Sequence, residues 1–335
     1  MKVPHNTSLM SVEKILNGGA ADFGVAALEL FRYQHTSNSF YRQYCDMLHI
    51  DPAAVTSVTN IPYLPITFFK SQIVLTAPAT ANTAAIIFES SGTTGEIPSR
   101  HYVHDKQVYE QSLLAGFREF YGDPADYTIL ALLPSYLERS NASLVYMART
   151  LMEVSKAAEN GFYINEWEQL HNSLLALVAA GRKTLLLGVT FALLDFAEAF
   201  PMQLSHTIVM ETGGMKGRKA EMTRDEVHDL LKKQFGLPAI HSEYGMTELL
   251  SQAYSTGEGV FKSTGTMQVL VRDINDPLDV FTTGSGAINV IDLANIHSCA
   301  FIATEDMGII AADGTFRVLG RMDHSALRGC SLMSV

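Results

Sequence analysis

Cysteine is scarce in this sequence: Cys45, Cys299 and Cys330 are the only three among 335 residues. Their wide spacing gives no CxxC pair and no Cys/His metal pattern. This excludes a disulfide framework and a zinc ribbon, and leaves three reduced thiols. Basic charge is also short. Lys and Arg total 24 against 35 Asp and Glu, a formal net charge of −11. A basic stripe able to neutralise nucleic-acid phosphates is therefore absent, and any polyanion bound here must be met by local donors. Long apolar runs are missing too. The longest, Thr184 to Leu194, reads TLLLGVTFALL, well short of the roughly 20 residues of a membrane span. It reads as a buried strand followed by a helix. The amino-terminal MKVPHNTSLM has no apolar core of the signal-peptide kind, so the expected location is the cytoplasm.

What is present is apolar material: 47% of the residues are hydrophobic, enough for one large core or two joined ones. Residues 8–49 read as helical, with Asp22 placed to cap FGVAALELFRYQ. Pro62 and Pro65 break IPYLPITFFK (61–70) into an extended connector. Strand-like runs at 84–89, 128–134, 183–188 and 206–210 then alternate with helical patterns at 104–121, 141–152, 166–181 and 190–199. Thr223 opens TRDEVHDLLKKQF, a helix with acidic residues early and lysines late, as the helix dipole favours. Such alternation predicts an α/β fold of helix-covered parallel sheets. From about residue 255 short β-like runs separated by Gly, Asp and Asn turns replace it. The expected division is therefore 1–254, a helical segment plus an α/β core, and 255–335, a smaller β-rich subdomain. No repeat or low-complexity tract interrupts either part.

Three polar clusters stand out. The first is Ser90-Ser91-Gly92-Thr93-Thr94-Gly95, directly after the strand-like AAIIFE. Glycines let the backbone approach a ligand, and hydroxyls and amides donate to phosphate oxygens. It is not a GxxxxGK[ST] loop. The second is Ser242-Glu243-Tyr244-Gly245-Met246-Thr247-Glu248, after the strand-like PAIH. It offers a flat ring for a base, a hydroxyl for phosphate and a hard oxygen ligand for Mg2+. The third is Thr304-Glu305-Asp306 with Gly320-Arg321-Met322-Asp323 further on. Here a carboxylate suits ribose hydroxyls, and an arginine suits phosphate or ribose. Taken singly, each cluster is an ordinary turn or surface ion pair.

In this order the clusters resemble the adenylate-forming superfamily, whose phosphate loop carries SGTTG, whose adenine segment reads YGxTE, and whose later strands carry (T/S)xD and GRxD. Six stretches narrow the resemblance: IPYLPITFFKSQ, SSGTTGEIPSRH, LLPSYLERSNASLVYM, ETGGMKGRKAEMTRDEVH, HSEYGMTELLSQAYS and GRMDHSALRGCSLMSV. They look like the LuxE-type acyl-protein synthetases, over most of the chain. The resemblance implies ATP-dependent activation of a fatty or other carboxylic acid as its adenylate. A cysteine near the carboxyl terminus then takes the acyl group as a thioester and hands it to a reductase partner.

Residue by residue, the resemblance places ATP phosphates against Ser90 to Gly95. It places adenine near Tyr244, Gly245 and the turn of Glu211, Gly213 and Gly214, with the ribose on Asp306. Mg2+ falls to Glu248, transition-state charge to Thr247 and Arg321, and the acyl group to Cys330. Arg328 is placed to lower the Cys330 pKa, and His241 is a weaker candidate for a substrate-side contact. Two departures stand out. Ser99-Arg100 replaces the lysine expected after the phosphate loop, which leaves Arg100, Lys216 or a partner to supply that charge. The superfamily's small C-terminal domain, with its own lysine, is also expected to be absent, because only twelve residues follow Asp323. Two other readings stay open: an acyl- or aryl-CoA ligase, and a non-catalytic nucleotide-binding subunit of an acyl-transfer complex. Leu132, Leu133, Met147 and Phe191 fit either an acyl pocket or the core.

Overall fold

The computed structural model describes residues 9–90, 97–134, 141–213 and 222–322. Among the described residues three helices come first: α1 (Met10–Leu16), α2 (Phe23–Ser37) and α3 (Ser39–Met47). The Asp22 side chain accepts from the Val25 N–H and starts α2, the capping geometry its position in the sequence predicts. The proline-broken connector is more structured than expected. Leu64–Pro65 forms a short edge strand, β1, and Phe68–Ser71 a single helical turn, α4.

Strands β2 (Ile86–Glu89) and β3 (Arg100–Val103) make a separate antiparallel hairpin. Helix α5 (Lys106–Tyr121), capped by Asp105, leads to β4 (Thr128–Leu132) and α6 (Ser143–Ser155). Then come β5 (Gly161–Tyr163), α7 (Trp167–Ala179), β6 (Thr184–Val189), α8 (Thr190–Ala199) and β7 (Thr207–Thr212). Helix α9 (Arg224–Phe235) starts with a capping box between Thr223 and Glu226 and ends on left-handed Gly236. Strands β8 (His241–Tyr244), β9 (Ala253–Ser255) and β10 (Lys262–Ser263) complete a seven-stranded sheet of order β10-β9-β8-β7-β6-β4-β5.

The five strands from β5 to β8 are mutually parallel, whereas β9 and β10 run antiparallel. Every residue of β4 and β6 is buried, which explains their unbroken apolar runs: helices cover both faces. The sheet is thus mixed, and β9 and β10 carry it past residue 255, where a β-rich part was expected to begin.

The second sheet holds β11 (Met267–Arg272), β12 (Val280–Phe281), β13 (Gly284–Asp292), β14 (Phe301–Ile310) and β15 (Phe316–Arg321). Its order is β1-β14-β13-β11-β12, with β15 on β14, and β1 lies parallel to β14 through Pro65 and Ala303.

Packing divides the molecule differently from the expected 1–254 and 255–335. One core gathers β4, β6 and the helices around them. The other joins α1–α3 to the second sheet, with Phe31, Tyr41 and Phe301 in mutual ring contact. The amino-terminal helices thus belong with the carboxyl-terminal strands. Residues 244–254 run along the seam: Tyr244, Leu249 and Ala253 face the second core, Leu250 and Tyr254 the first. Among the described residues no helix is long and apolar enough to cross a membrane.

Candidate functional site

The site lies where β8 ends on this seam. Asp306 on β14 and Arg321 on β15 are cross-strand partners, with Nε and Oδ1 3.8 Å apart. The Arg321 side chain is 82% exposed and that of Asp306 17%, so the arginine is available to a ligand while the carboxylate is largely sheltered. Tyr244 Oη donates to Asp306 Oδ2 at 2.9 Å. Burial raises the Asp306 pKa, and the Tyr244 hydrogen bond and Arg321 only partly oppose it.

Tyr244 was expected to present its ring to a base. The structure instead packs that ring edge-on against Phe261 and Phe316 and spends the phenol on Asp306. The motif's first residues also belong to strand β8 itself rather than following it. Gly245 comes next, and a Cβ there would lie 2.4 Å from Glu243 Oε1, so any larger residue would have to displace that carboxylate.

Thr247 and Glu248 form the turn beyond. The Glu248 carboxylate is buried, which raises its pKa. The Ser99 hydroxyl, its own backbone, Arg321 and Lys70 pull the other way. Ser99 occupies the position of the expected lysine, and here it bonds a carboxylate. Among the described residues no cluster of three or more His, Cys, Asp or Glu could hold a metal. A single sheltered carboxylate fits Mg2+ all the same, because that ion takes one or two carboxylates and completes its shell with phosphate oxygens and water.

At the hairpin, the Ser99 N–H donates to Ser90 Oγ at 2.9 Å and the Ser90 N–H to the Ser99 carbonyl at 3.0 Å. These bonds join the two ends of the segment between β2 and β3. Arg100 is more than half exposed and bonds Glu89 Oε1 at 3.0 Å, so its charge is engaged on the hairpin. Ser91, Gly92, Thr93, Thr94, Gly95, Gly214, Lys216, Asp323, Arg328 and Cys330 lie outside the described residues.

The Glu211 side chain has partners of its own, away from Asp306 and Glu248. It is buried on the α9 side of β7. Thr190 Oγ1 donates to its Oε2 at 2.7 Å, Arg224 Nε lies 3.3 Å from Oε1 and His228 Nε2 3.6 Å away. Burial alone would raise its pKa, but His228, Arg224, Ser242 and Thr190 together hold it below the usual carboxylate value. The reason is side-chain alternation: Glu211 points to one face of the sheet and Thr212 to the other. Gly213, at φ 75°, turns the chain left-handed, and its carbonyl accepts from Thr190 Oγ1 at 3.3 Å.

His241 sits on Tyr121, Nδ1 to Oη 3.3 Å, and burial lowers its pKa to about 4. It is neutral at pH 7. Leu132, Leu133, Met147 and Phe191 are all members of the first core.

Sequence reading missed several residues that shape the site. Glu243 is buried on the face opposite Glu211 and accepts from Thr212 Oγ1 at 2.5 Å. Burial, with Glu211 nearby, raises its pKa to about 7. Asp292 accepts from the Leu250 and Ser251 N–H groups at 2.6 and 3.1 Å and from Ser251 Oγ at 2.6 Å. His101 Nδ1 lies 2.9 Å from the Thr247 carbonyl, and Asn295 Nδ2 donates to the Glu248 carbonyl at 2.8 Å. The signals available were a carboxylate immediately before YG and polar residues ending apolar strands.

The fold is similar to that of a 2-hydroxyisobutyryl-CoA ligase in complex with 2-HIB-AMP and CoA. The TM-score is 0.64 at 13% identity, over 96% of this chain and 70% of that one. It is also similar to ATP-bound MatB from Rhodopseudomonas palustris, TM-score 0.55 at 17% identity, over 73% of this chain and 50% of that one. A third likeness is to O-succinylbenzoate coenzyme A synthetase from Bacillus subtilis in complex with ATP and magnesium ion. There the TM-score is 0.52 at 16% identity, over 72% of this chain and 51% of that one. The chain thus spans about half the length of the last two structures, and at these identities the likeness is one of fold. No curated protein is matched. The family model described as acyl-protein synthetase, LuxE, matches residues 21–334, and the chain belongs to that family.

Proposed function

We propose that the chain uses ATP to activate a carboxylic acid as its acyl-adenylate and then carries the acyl group as a thioester on Cys330. The observation that carries this reading is the meeting of Asp306, Tyr244, Arg321, Thr247 and Glu248 at one seam, beside the hairpin that bears the SGTTG loop. Asp306, held by Tyr244, accepts both ribose hydroxyls. Ser90 to Gly95 receive the phosphates, and Arg321 reaches the ribose or α-phosphate from solvent. Glu248 and the phosphate oxygens are the ligands offered to Mg2+, which when bound neutralises the charge of the leaving pyrophosphate.

A carboxylate oxygen of the substrate attacks the α-phosphorus. The bond to the bridging oxygen breaks and pyrophosphate departs. The chain's contribution is position and charge complementarity at Thr247 and Arg321. The Cys330 thiolate then attacks the acyl carbonyl and AMP leaves with the electron pair. Cys45 and Cys299 take no part: both are buried, and burial pushes the Cys45 thiol up to about 12 and that of Cys299 higher. The acid is a fatty acid in this reading, the thioester is handed to a reductase, and the setting is the cytoplasm.

The test is ATP with a radiolabelled acid. Cys330→Ser should release pyrophosphate but retain no hydroxylamine-sensitive label, because a serine hydroxyl is almost wholly protonated at neutral pH. Label that survives in Cys330→Ser, or that never forms in the parent with an acid supporting pyrophosphate release, transfers the acceptor role to CoA or another carrier.

A further inference from the structure

Thr247 and Glu248 stand in a turn without helix or strand, so nothing in regular secondary structure fixes their peptide planes. Two side chains from distant parts of the chain do so instead. His101 comes from β3, the strand leaving the phosphate loop, and is 1% exposed. Its Nδ1 lies 2.9 Å from the Thr247 carbonyl oxygen. A carbonyl only accepts, so Nδ1 carries the proton and Nε2 is left as a lone pair. Asn295 follows β13 and is fully buried. Its Nδ2 donates to the next carbonyl, that of Glu248, at 2.8 Å.

The two holders are themselves held. Gln34 Nε2 on α2 donates to the Asn295 carbonyl at 2.7 Å, and Phe69 on α4 meets the His101 ring edge-on at a centroid distance of 5.8 Å. His101 Nε2 and Asn295 Oδ1 are both buried with no partner in good hydrogen-bond geometry, although the two side chains do interact with each other. Two such atoms cost stability, and an apolar pair of the same size would avoid that cost. What the polar pair adds is the orientation of two consecutive peptide units. Because each unit is planar and trans, fixing the Thr247 carbonyl also fixes the opposed Glu248 N–H.

We propose that His101 is a positioning residue for adenylation: with Asn295 it locks the Thr247–Glu248 turn to the strand that leaves the phosphate loop. The proposal rests on the adenylation reading above. The hydroxyl of Thr247 and the carboxylate of Glu248 then keep one geometry relative to a nucleotide held by that loop, and no reorganisation is needed as charge develops.

The experiment compares His101→Leu with His101→Asn in acid-dependent pyrophosphate release, alongside the 15N-resolved tautomer of His101 in the parent. Asparagine puts an N–H donor where Nδ1 stood, whereas leucine fills the space without one. His101→Leu should lose on the order of tenfold or more in kcat with the KM for ATP changed by about twofold or less, as for a misplaced catalytic group. His101→Asn should recover most of that loss at a similar melting temperature. Asn295→Ala should show the same split between kcat and KM. The parent should hold His101 as the neutral Nδ1–H tautomer from pH 6 to 8.

Parental kcat in His101→Leu, equal damage in His101→Leu and His101→Asn, or an Nε2–H tautomer would each overturn the proposal. A parent that releases no pyrophosphate with any acid defeats the adenylation reading instead. The tautomer then decides whether His101 holds the turn at all.

Discussion

Glu211 and Glu243 sit on neighbouring strands, both buried, yet on opposite faces of the seven-stranded sheet they meet opposite conditions. Glu211 has Arg224, His228, Thr190 and Ser242 around it, enough to outweigh its burial and keep it charged. Glu243 has one hydroxyl partner, Thr212, and burial raises its pKa to about 7. Asp306 and Glu248 resemble Glu243: burial raises both, and their partners only partly oppose it. The fold therefore neutralises the carboxylate it uses for itself and leaves under-compensated those that line the seam. On the proposed function, under-compensation leaves Glu248 open to Mg2+ and Asp306 open to ribose hydroxyls, even with Arg321 3.8 Å from Asp306.

The comparison breaks first at Glu211. Glu211→Leu should destabilise by about 3–5 kcal/mol, because it leaves the Arg224 guanidinium without its buried anion and removes the carboxylate beside His228. Chemical denaturation would read the change, and a loss below about 1 kcal/mol would make the cluster incidental.

Glu243 should behave in the opposite sense. Its folded pKa of about 7 stands above the ordinary 4.5, so folding takes up a proton between those values. The contribution is fully present below about pH 4.5 and is lost as pH rises to about 7, in total about 3 kcal/mol. Glu211, held low, adds no slope in that window. Glu243→Gln should flatten the stability profile between pH 5 and 7, and an unchanged slope would place the proton elsewhere.

Asp306→Asn should weaken ATP binding by about 1.5–3 kcal/mol, the worth of a charge-assisted hydrogen bond. Thermal stability should not fall, since a poorly compensated charge is removed and the Tyr244 partner is kept. Calorimetry with unchanged ATP affinity would take Asp306 out of the site. The smallest effect is expected from Glu248→Gln: a several-fold higher Mg2+ requirement, because the amide keeps the shape but loses the charge a hard cation prefers. Superimposable Mg2+ titrations would reduce Glu248 to a structural role.

Much of this was legible in the sequence. Asp22 and Thr223 mark their helix starts because capping is a local interaction, and β4 and β6 declare themselves as unbroken apolar runs. Thr247, Glu248, Asp306 and Arg321 are named by motif order, and the structure does bring them to one seam. The pairing of α1–α3 with the second sheet was hidden, because amphipathic helices do not state which sheet they cover. The partners of Glu211 were hidden for a related reason: its place beside Gly213 in sequence says nothing of the face its side chain takes. Tyr244 presents a ring in sequence, but only the arrival of Phe261, Phe316 and Asp306 from distant strands shows that ring and hydroxyl are both engaged. His101, Asn295 and Asp292 act on backbone groups far along the chain, and such contacts leave no local pattern.

The most direct measurement of the central claim is acid-dependent exchange of labelled pyrophosphate into ATP by the purified chain, over a panel of short, long and aromatic acids. Exchange reads the adenylation step alone and needs neither CoA nor the Cys330 thiol. The account predicts exchange that requires both an acid and Mg2+ and falls at least tenfold in Asp306→Asn at sub-saturating ATP, in line with the affinity loss above. ATP binding that is intact in the parent, with no exchange for any acid, would contradict it and leave the chain a nucleotide-binding subunit.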